Sequence, residues 1–415
     1  MKIRSITYFC NPEWPINEEV LHHAGKFNKE AKAAFNAAGF DVQTSRLATI
    51  PFPRMVVGCK EDDIVDFART LELLVKNHGF DYVSIGPALP QTPESYQVIP
   101  EILTSTESVF LSGVMDSHNG GIELQAVRAC ADVIHQSATI SPDGFANLRF
   151  AALANVPSGS PFFPAAYHAH RLDDEAQPFS FALATEAADL AVDAFSGAQD
   201  IEDAQNKLIA TLNEHAKVLE KVADSLSEQN DVVFGGIDFS MAPYPVEERS
   251  IGAAMERLGV PAVGMHGSLA ATAILTNAID RAVFKRTGFC GVMLPVLEDS
   301  TLAARTENGV LNITDLLLYS AVCGTGLDTL PLPGDTNSSQ IAAILLDLAA
   351  LALRLDKPLT ARLMPIPGKV AGDLTSFDFE YFANSRVLSV CAEPLQNFLA
   401  GDGVIELHKR EVNKG

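Results

Sequence analysis

The sequence predicts an α/β fold, a single large domain in which about ten strands alternate with helices, and a barrel accounts best for that number. Three observations carry the reading. Strand-like runs and helix-like runs alternate from one end of the chain to the other. Several strands are apolar on both faces, as expected when helices cover both sides of a sheet or a barrel closes. No Ser/Gly/Pro-rich linker or low-complexity segment divides the 415 residues; the acidic stretch 172–177 is the best candidate for a break.

Each element has its own justification. Residues 2–9 set Ile3, Ile6, Tyr8 and Phe9 among polar residues, as in a strand. Asn17 suits the N-cap of a helix over 17–38, and Gly39 stops it. A second strand spans 41–47. A helix over 62–77 places Ile64, Phe67, Leu71 and Leu74 on one face, with Gly79 after it. Short apolar strands follow at 82–85 and 108–112, then a helix over 121–137. Strands at 147–156 and 179–184 precede a long, polar, outward-lying helix over 201–226. The second half repeats the alternation: a strand at 231–239, helices over 246–258 and 268–286, and a buried strand at 290–296. Helices over 314–323 and 338–355 and late strands at 360–364 and 386–390 complete it.

Composition narrows the function. Thirty basic against 52 acidic residues give a net charge of −22, with 47% hydrophobic residues. The chain is too apolar for disorder. Its acid excess argues against a reader of nucleic-acid backbones and against docking on an anionic membrane. The longest apolar stretch, 341–353, carries Asp347 and falls short of the ~20 residues that span a bilayer. The six cysteines form no CxxC pair. With no signal-like start, reduced thiols in a cytoplasm are the simplest reading.

In α/β folds ligands sit beyond the carboxyl ends of strands, so polar residues following apolar runs are the candidates. The turn 115–121 has paired glycines that either meet an anion or simply turn. The rigid aromatic loop 157–168 ends at His168, with His170 beyond it. Asp238 ends an apolar strand: a general base, a metal ligand or a turn cap. Glu298 and Asp299 follow a buried strand, as an acid/base or cation site or as a solvated exit. The segment 321–336 is the richest, with Cys323 at a helix end, Gly324, Thr325 and Gly326, then Asp328, two prolines and Asp335. A thiol at a helix C-terminus faces the negative end of the dipole, which disfavours a thiolate nucleophile. The segment matches neither a P-loop nor a dinucleotide fingerprint. Arg362 and Lys369 either balance the carboxylates or bind an anionic substrate.

Taken together, Phe150–Ala154 with the 161–168 loop, Gly236-Ile237-Asp238, Cys323-Gly324-Thr325-Gly326-Leu327-Asp328-Thr329, Leu332-Pro333-Gly334-Asp335 and Met364-Pro365-Ile366-Pro367-Gly368-Lys369 resemble the family called domain of unknown function 711 over nearly the whole chain. The resemblance implies a ten-stranded α/β barrel similar to the pyruvate-formate-lyase-like glycyl radical enzymes, and a homodimer. It brings no reaction and no cofactor. The radical-bearing motif Arg-Val-x-Gly-[Tyr/Phe/Trp] is not matched: the nearest fragment, Arg386-Val387-Leu388-Ser389-Val390, lacks the glycine. The expectation is therefore a non-radical lyase, isomerase or hydrolase acting on a small polar or anionic metabolite. Asp238, Glu298, His168, Cys323 and Asp328 are its catalytic candidates. Gly324, Thr325, Gly326, Asp335, Arg362 and Lys369 are its ligand-binding candidates. Two alternatives stand beside it: a metal-dependent enzyme using His168, Asp238 and Asp328, and a binding or regulatory protein without chemistry.

Overall fold

The computed structural model describes residues 1–117, 120–169 and 178–409; His118, Asn119, His170 and the acidic stretch 172–177 lie outside the described residues. Among the described residues eleven strands form: β1 (Lys2–Phe9), β2 (Val42–Ala48), β3 (Tyr82–Ala88), β4 (Val109–Val114), β5 (Gly121–Glu123), β6 (Phe150–Ala154), β7 (Ser180–Glu186), β8 (Val233–Asp238), β9 (Gly326–Pro333), β10 (Leu359–Ile366) and β11 (Val404–Glu406). Nine make one mixed sheet in the order β8-β7-β1-β2-β3-β4-β6-β10-β9, and β5 pairs separately with β11. The five central strands are parallel; β7 and β10 join them antiparallel, and β8 and β9 pair parallel to those two.

Both faces of the sheet are buried. Ile6, Tyr8, Leu47, Val83, Leu111, Leu183 and Leu363 pack among the helices. Helix Glu18–Ala37 starts where expected, with the Asn17 side chain accepting from the Glu19 amide. Helix Ser338–Leu355, the one described helix long and apolar enough by composition to cross a membrane, buries Leu345, Leu348 and Ala352 and lies against Leu124–Ser137. The opposite face carries Thr7, Phe9, Arg46, Ala48, Ser84, Phe110, Ala151, Ala182 and Arg362, alternating with the outer residues as the two-residue period of a strand requires. Small apolar clusters on this side unite Phe9, Phe110 and Phe163, and Phe162, Ala184 and Met293.

Several expectations need correction. The segment 121–137 begins as strand β5 before its helix, Leu124–Ser137. The segment 290–296 is not a regular strand, and neither is 386–390, where Arg386 bridges Leu374 and the Leu388 amide donates to the Pro331 carbonyl of β9. Residues 285–295 instead run irregularly beside β8, bridging Ile237 to Arg286 and Met241 to Val292, and reach β9 through a bridge from Pro295 to Asp328. Strand β9 itself was hidden in a segment that reads as a loop. Pro331 and Pro333 donate no ladder hydrogen bond and are tolerated because β9 pairs with β10 alone in the sheet, at its edge. The helix expected to end at Cys323 ends at Tyr319.

Candidate functional site

The face turned from the helices encloses a cavity of about 100 Å³. Its walls come from β1, β2, β3, β4, β6, β9 and β10, from the 162–165 loop, and from Phe379 and Tyr381 near the C-terminus. Arg4, Arg46, Arg362, Glu298 and Asp328 supply its charge.

Two irregularities in the sheet aim those charges. Ile3 and Ser5 pair with adjacent residues of β7, so Arg4 is one residue too many and bulges out of the ladder. The bulge turns Arg4 to the same side as Ser5 and Thr7. On β9, three steps from Leu327 to Leu330 match two on β10 from Ala361 to Leu363, so Asp328 and Thr329 bulge opposite Arg362. Thr329 there takes φ +44°, a left-handed conformation that costs energy for a β-branched residue.

A chain of ion pairs runs along the wall. Arg249 pairs with Glu186, which accepts from Gln43 Nε2 at 2.6 Å and faces Arg4 Nη1 at 3.4 Å. Arg4 Nη2 pairs with Glu298 Oε2. Glu298 Oε1 accepts from Arg362 Nη2 at 2.7 Å, and Arg362 Nε donates to Asp328 Oδ1 at 2.6 Å. Four guanidiniums face three carboxylates once Arg46 is added. Burial alone would raise Glu298, but Arg362 and Arg4 outweigh it and hold the carboxyl below its ordinary value. Burial raises Asp328; Glu298 adds to the rise and Arg362 opposes it. The two carboxylates share one arginine, and Asp328 is the one that favours its proton. Its Oδ2 has no hydrogen-bond partner among the described residues.

Glu298, Asp328, Arg362 and Thr325 thus meet at one cavity, and the remaining sequence candidates lie elsewhere. Asp238 is fully buried and accepts from Ser240 Oγ at 2.6 Å and from the amides of Phe289 and Cys290 at 2.7 and 2.8 Å. It clamps the irregular 285–295 stretch against β8. His168 is buried beside Phe9, with ring centroids 6.3 Å apart, and burial lowers it to about 4, so it is neutral at neutral pH. Cys323 is buried; its Sγ accepts from the Gly326 amide at 3.5 Å and its carbonyl accepts from Lys357. Gly324 serves a chain crossing, because a Cβ there would lie 2.5 Å from Gly291 Cα. Gly326, at φ +101°, would put a Cβ 2.4 Å from the Thr360 carbonyl. Asp335 is exposed, and the cap of the next helix is Asn337. Lys369 is half-buried in the turn after β10, away from the cavity walls. Asp299, next to Glu298, points the other way and caps helix Ser300–Glu307. Among the described residues no three His, Cys, Asp or Glu side chains gather to hold a metal ion, so His168, Asp238 and Asp328 do not form the ligand set expected of them.

Four further charged side chains complete the site beyond those the sequence singled out: Arg4, Arg46, Glu186 and Arg249. Arg4 and Arg46 lie inside β1 and β2 among other polar residues, whereas Glu186 ends the apolar run of β7.

Fold and site define an α/β protein built on a nine-stranded mixed sheet, with an arginine-rich cavity on the face away from its helices. The chain belongs to the family described as Uncharacterised ACR (DUF711), which matches residues 1–384. Its relatives include a UPF0210 protein of Neisseria meningitidis, 28% identical over 87% of this chain and 83% of the relative. A UPF0210 protein of Pyrobaculum islandicum is 32% identical over 81% of this chain and 76% of the relative. One of Pyrobaculum arsenaticum is 31% identical over 90% and 87%.

Proposed function

We propose that the chain is a non-radical enzyme acting on a small anionic metabolite held in this cavity. The observation that carries the reading is the lining charge: three guanidiniums and two carboxylates are withdrawn from water around one space. Burying such a network is costly and contributes little stability beyond what apolar side chains of the same volume would give, so a ligand is the economical reason for it. Glu298, held between Arg4 and Arg362, stays ionised and fixes both guanidiniums. Asp328, raised and open at Oδ2, is the group suited to move a proton to or from the ligand. Aromatic walls keep water out and strengthen each charge.

The same reading includes a closed barrel of ten strands, as the resemblance implies. The bridges of 285–295 to both edge strands of the sheet support it, with that stretch as the tenth strand. A stored glycyl radical is not part of it, since the motif glycine is missing.

A panel of small organic anions, read by thermal shift and followed by product analysis, tests the proposal. The expected result is an anion that stabilises both the parent chain and Asp328→Asn but is converted only by the parent. Equal conversion by the variant overturns the role of Asp328, and an anion that binds and is never converted points to a binding protein. Failure of every anion to bind removes the site.

A further inference from the structure

Resting on that site, the class of its ligand follows from how the buried arginines differ. Arg4 and Arg362 each hold carboxylates. Arg149, a half-buried arginine just before β6, is satisfied without one: it donates to the carbonyls of Leu103 and Val109 and to Thr106 Oγ1. Arg46 is different. It is 9% exposed, and its Nε donates to Thr44 Oγ1 at 2.9 Å. Its two terminal nitrogens have no hydrogen-bond partner and no ion-pair partner among the described residues, and the side chain lines the cavity. The guanidinium lies 5.1 Å from the Phe163 ring centre and 5.8 Å from that of Tyr82. Thr325 Oγ1, also buried and without a partner, lines the same space.

We propose that Arg46 is the receptor for a single carboxylate, and that the ligand is a small monocarboxylate with an apolar body. With Nε engaged by Thr44, the free terminal nitrogens offer the end-on fork that a planar carboxylate matches with two parallel hydrogen bonds. With Asp328 ionised, as a proton acceptor must be, the charge count selects one negative charge: three lining guanidiniums against two carboxylates leave an excess of one cation. A dianion overshoots it. Size and wall chemistry select the rest. A cavity of about 100 Å³ has room for about three waters at roughly 30 Å³ each, which suits an acid of a few carbon atoms, and Tyr82, Phe110 and Phe163 wall it with apolar surface. Burial, with Arg4 and Arg362 nearby, lowers Arg46 to about 10, so it is still a cation at neutral pH and sits in a field that attracts an anion.

The full chain is titrated calorimetrically with propionate, benzoate, their amides, malonate and inorganic phosphate. At least one of the two acids is expected to bind, its amide to fail, and malonate and phosphate to bind more weakly. Arg46→Met is expected to weaken the acid about tenfold or more, with Arg46→Lys in between. Phe163→Leu, which leaves the charge and loosens its flank, is expected to weaken it less. Circular dichroism and melting confirm that each variant is folded. Equal binding of acid and amide, tighter binding of malonate or phosphate, or an Arg46→Met chain that binds like the parent overturns the receptor. Ala151→Leu, which fills the cavity from β6, separates the two proposals. If the acid binds Arg46→Met normally but not Ala151→Leu, the cavity stands and the receptor falls. If the acids bind none of these chains, or bind Ala151→Leu as well as the parent, the cavity site falls with it.

Discussion

Two pairs of buried carboxylates divide this molecule. Asp238 and Asp299 are held by backbone amides and serine hydroxyls; Glu298 and Asp328 are held by guanidiniums around a cavity. Asp299 accepts from the amides of Ile251, Thr301 and Leu302, so one side chain ties the N-termini of two helices together. Backbone amides cannot leave, and such a carboxylate is part of the architecture. Guanidiniums on separate strands can share their donors with a ligand, and that pair belongs to a site. The kind of donor, more than the depth of burial, separates the two roles.

The largest expected effect breaks the first pair. Asp299→Ala leaves at least three buried amides without an acceptor and uncaps helix Ser300–Glu307, which costs roughly 3–5 kcal/mol of unfolding free energy. Arg362→Met costs a similar amount, because Glu298 and Asp328 lose the cation they share. Asp328→Asn keeps an acceptor for Arg362 Nε and costs about 1 kcal/mol or less while conversion of the ligand stops. Urea unfolding of the three variants checks the contrast; an Asp328→Asn chain as unstable as Asp299→Ala would erase it.

A smaller effect is visible only as a difference between variants. Burial, outweighing the bonds from Ser240, Phe289 and Cys290, pushes Asp238 up to about 6. The folded protein keeps a proton there that the unfolded chain releases near pH 4, so this group makes the fold less stable as pH rises from about 4 to 6. Burial pushes His168 down to about 4. The unfolded chain takes up a proton below about 6.5 that the folded chain refuses, so this group makes the fold less stable as pH falls from about 6.5 to 4. Each contribution is about 3 kcal/mol, and the two oppose each other over the same window. Between pH 6 and 4, Asp238→Asn is therefore expected to lose about 2–3 kcal/mol relative to the parent, and His168→Gln to gain about as much. Denaturant unfolding at pH 4, 5 and 6 reads both; variants that run parallel to the parent would show that neither group titrates in the window.

The same division explains what is legible in the sequence. Glu298, Asp328, Arg362 and Thr325 stand out because they follow or sit in apolar segments, and they meet at the cavity. Asp238 stands out for the same reason and is a clamp, because the sequence does not tell which donors a buried carboxylate will find. Arg4 and Arg46 lie inside strands, not after them, and a search confined to strand ends passes over them. The bulges that turn Arg4 and Asp328 inward depend on pairing between distant strands, which no local pattern records. β9 is hidden by its prolines, which an edge position permits.

The smallest expected effect sharpens the comparison most. Arg46 belongs to neither pair: it is a buried cation with no buried anion of its own. Removing a partnered buried charge leaves its partner stranded, whereas removing an unpartnered one strands nothing. Methionine fills a similar volume and keeps contact with Phe163 and Tyr82. It gives up the bond to Thr44 but spares the cost of holding a third guanidinium near Arg4 and Arg362. Arg46→Met is therefore expected to be slightly more stable than the parent, by roughly 1 kcal/mol, where Arg362→Met is less stable by several. A rise in melting temperature of about 1 °C for Arg46→Met, measured without added anions, fits a residue kept for a ligand at some expense of stability. A fall as large as that of Arg362→Met would mean that Arg46 is a structural counter-charge like its neighbours.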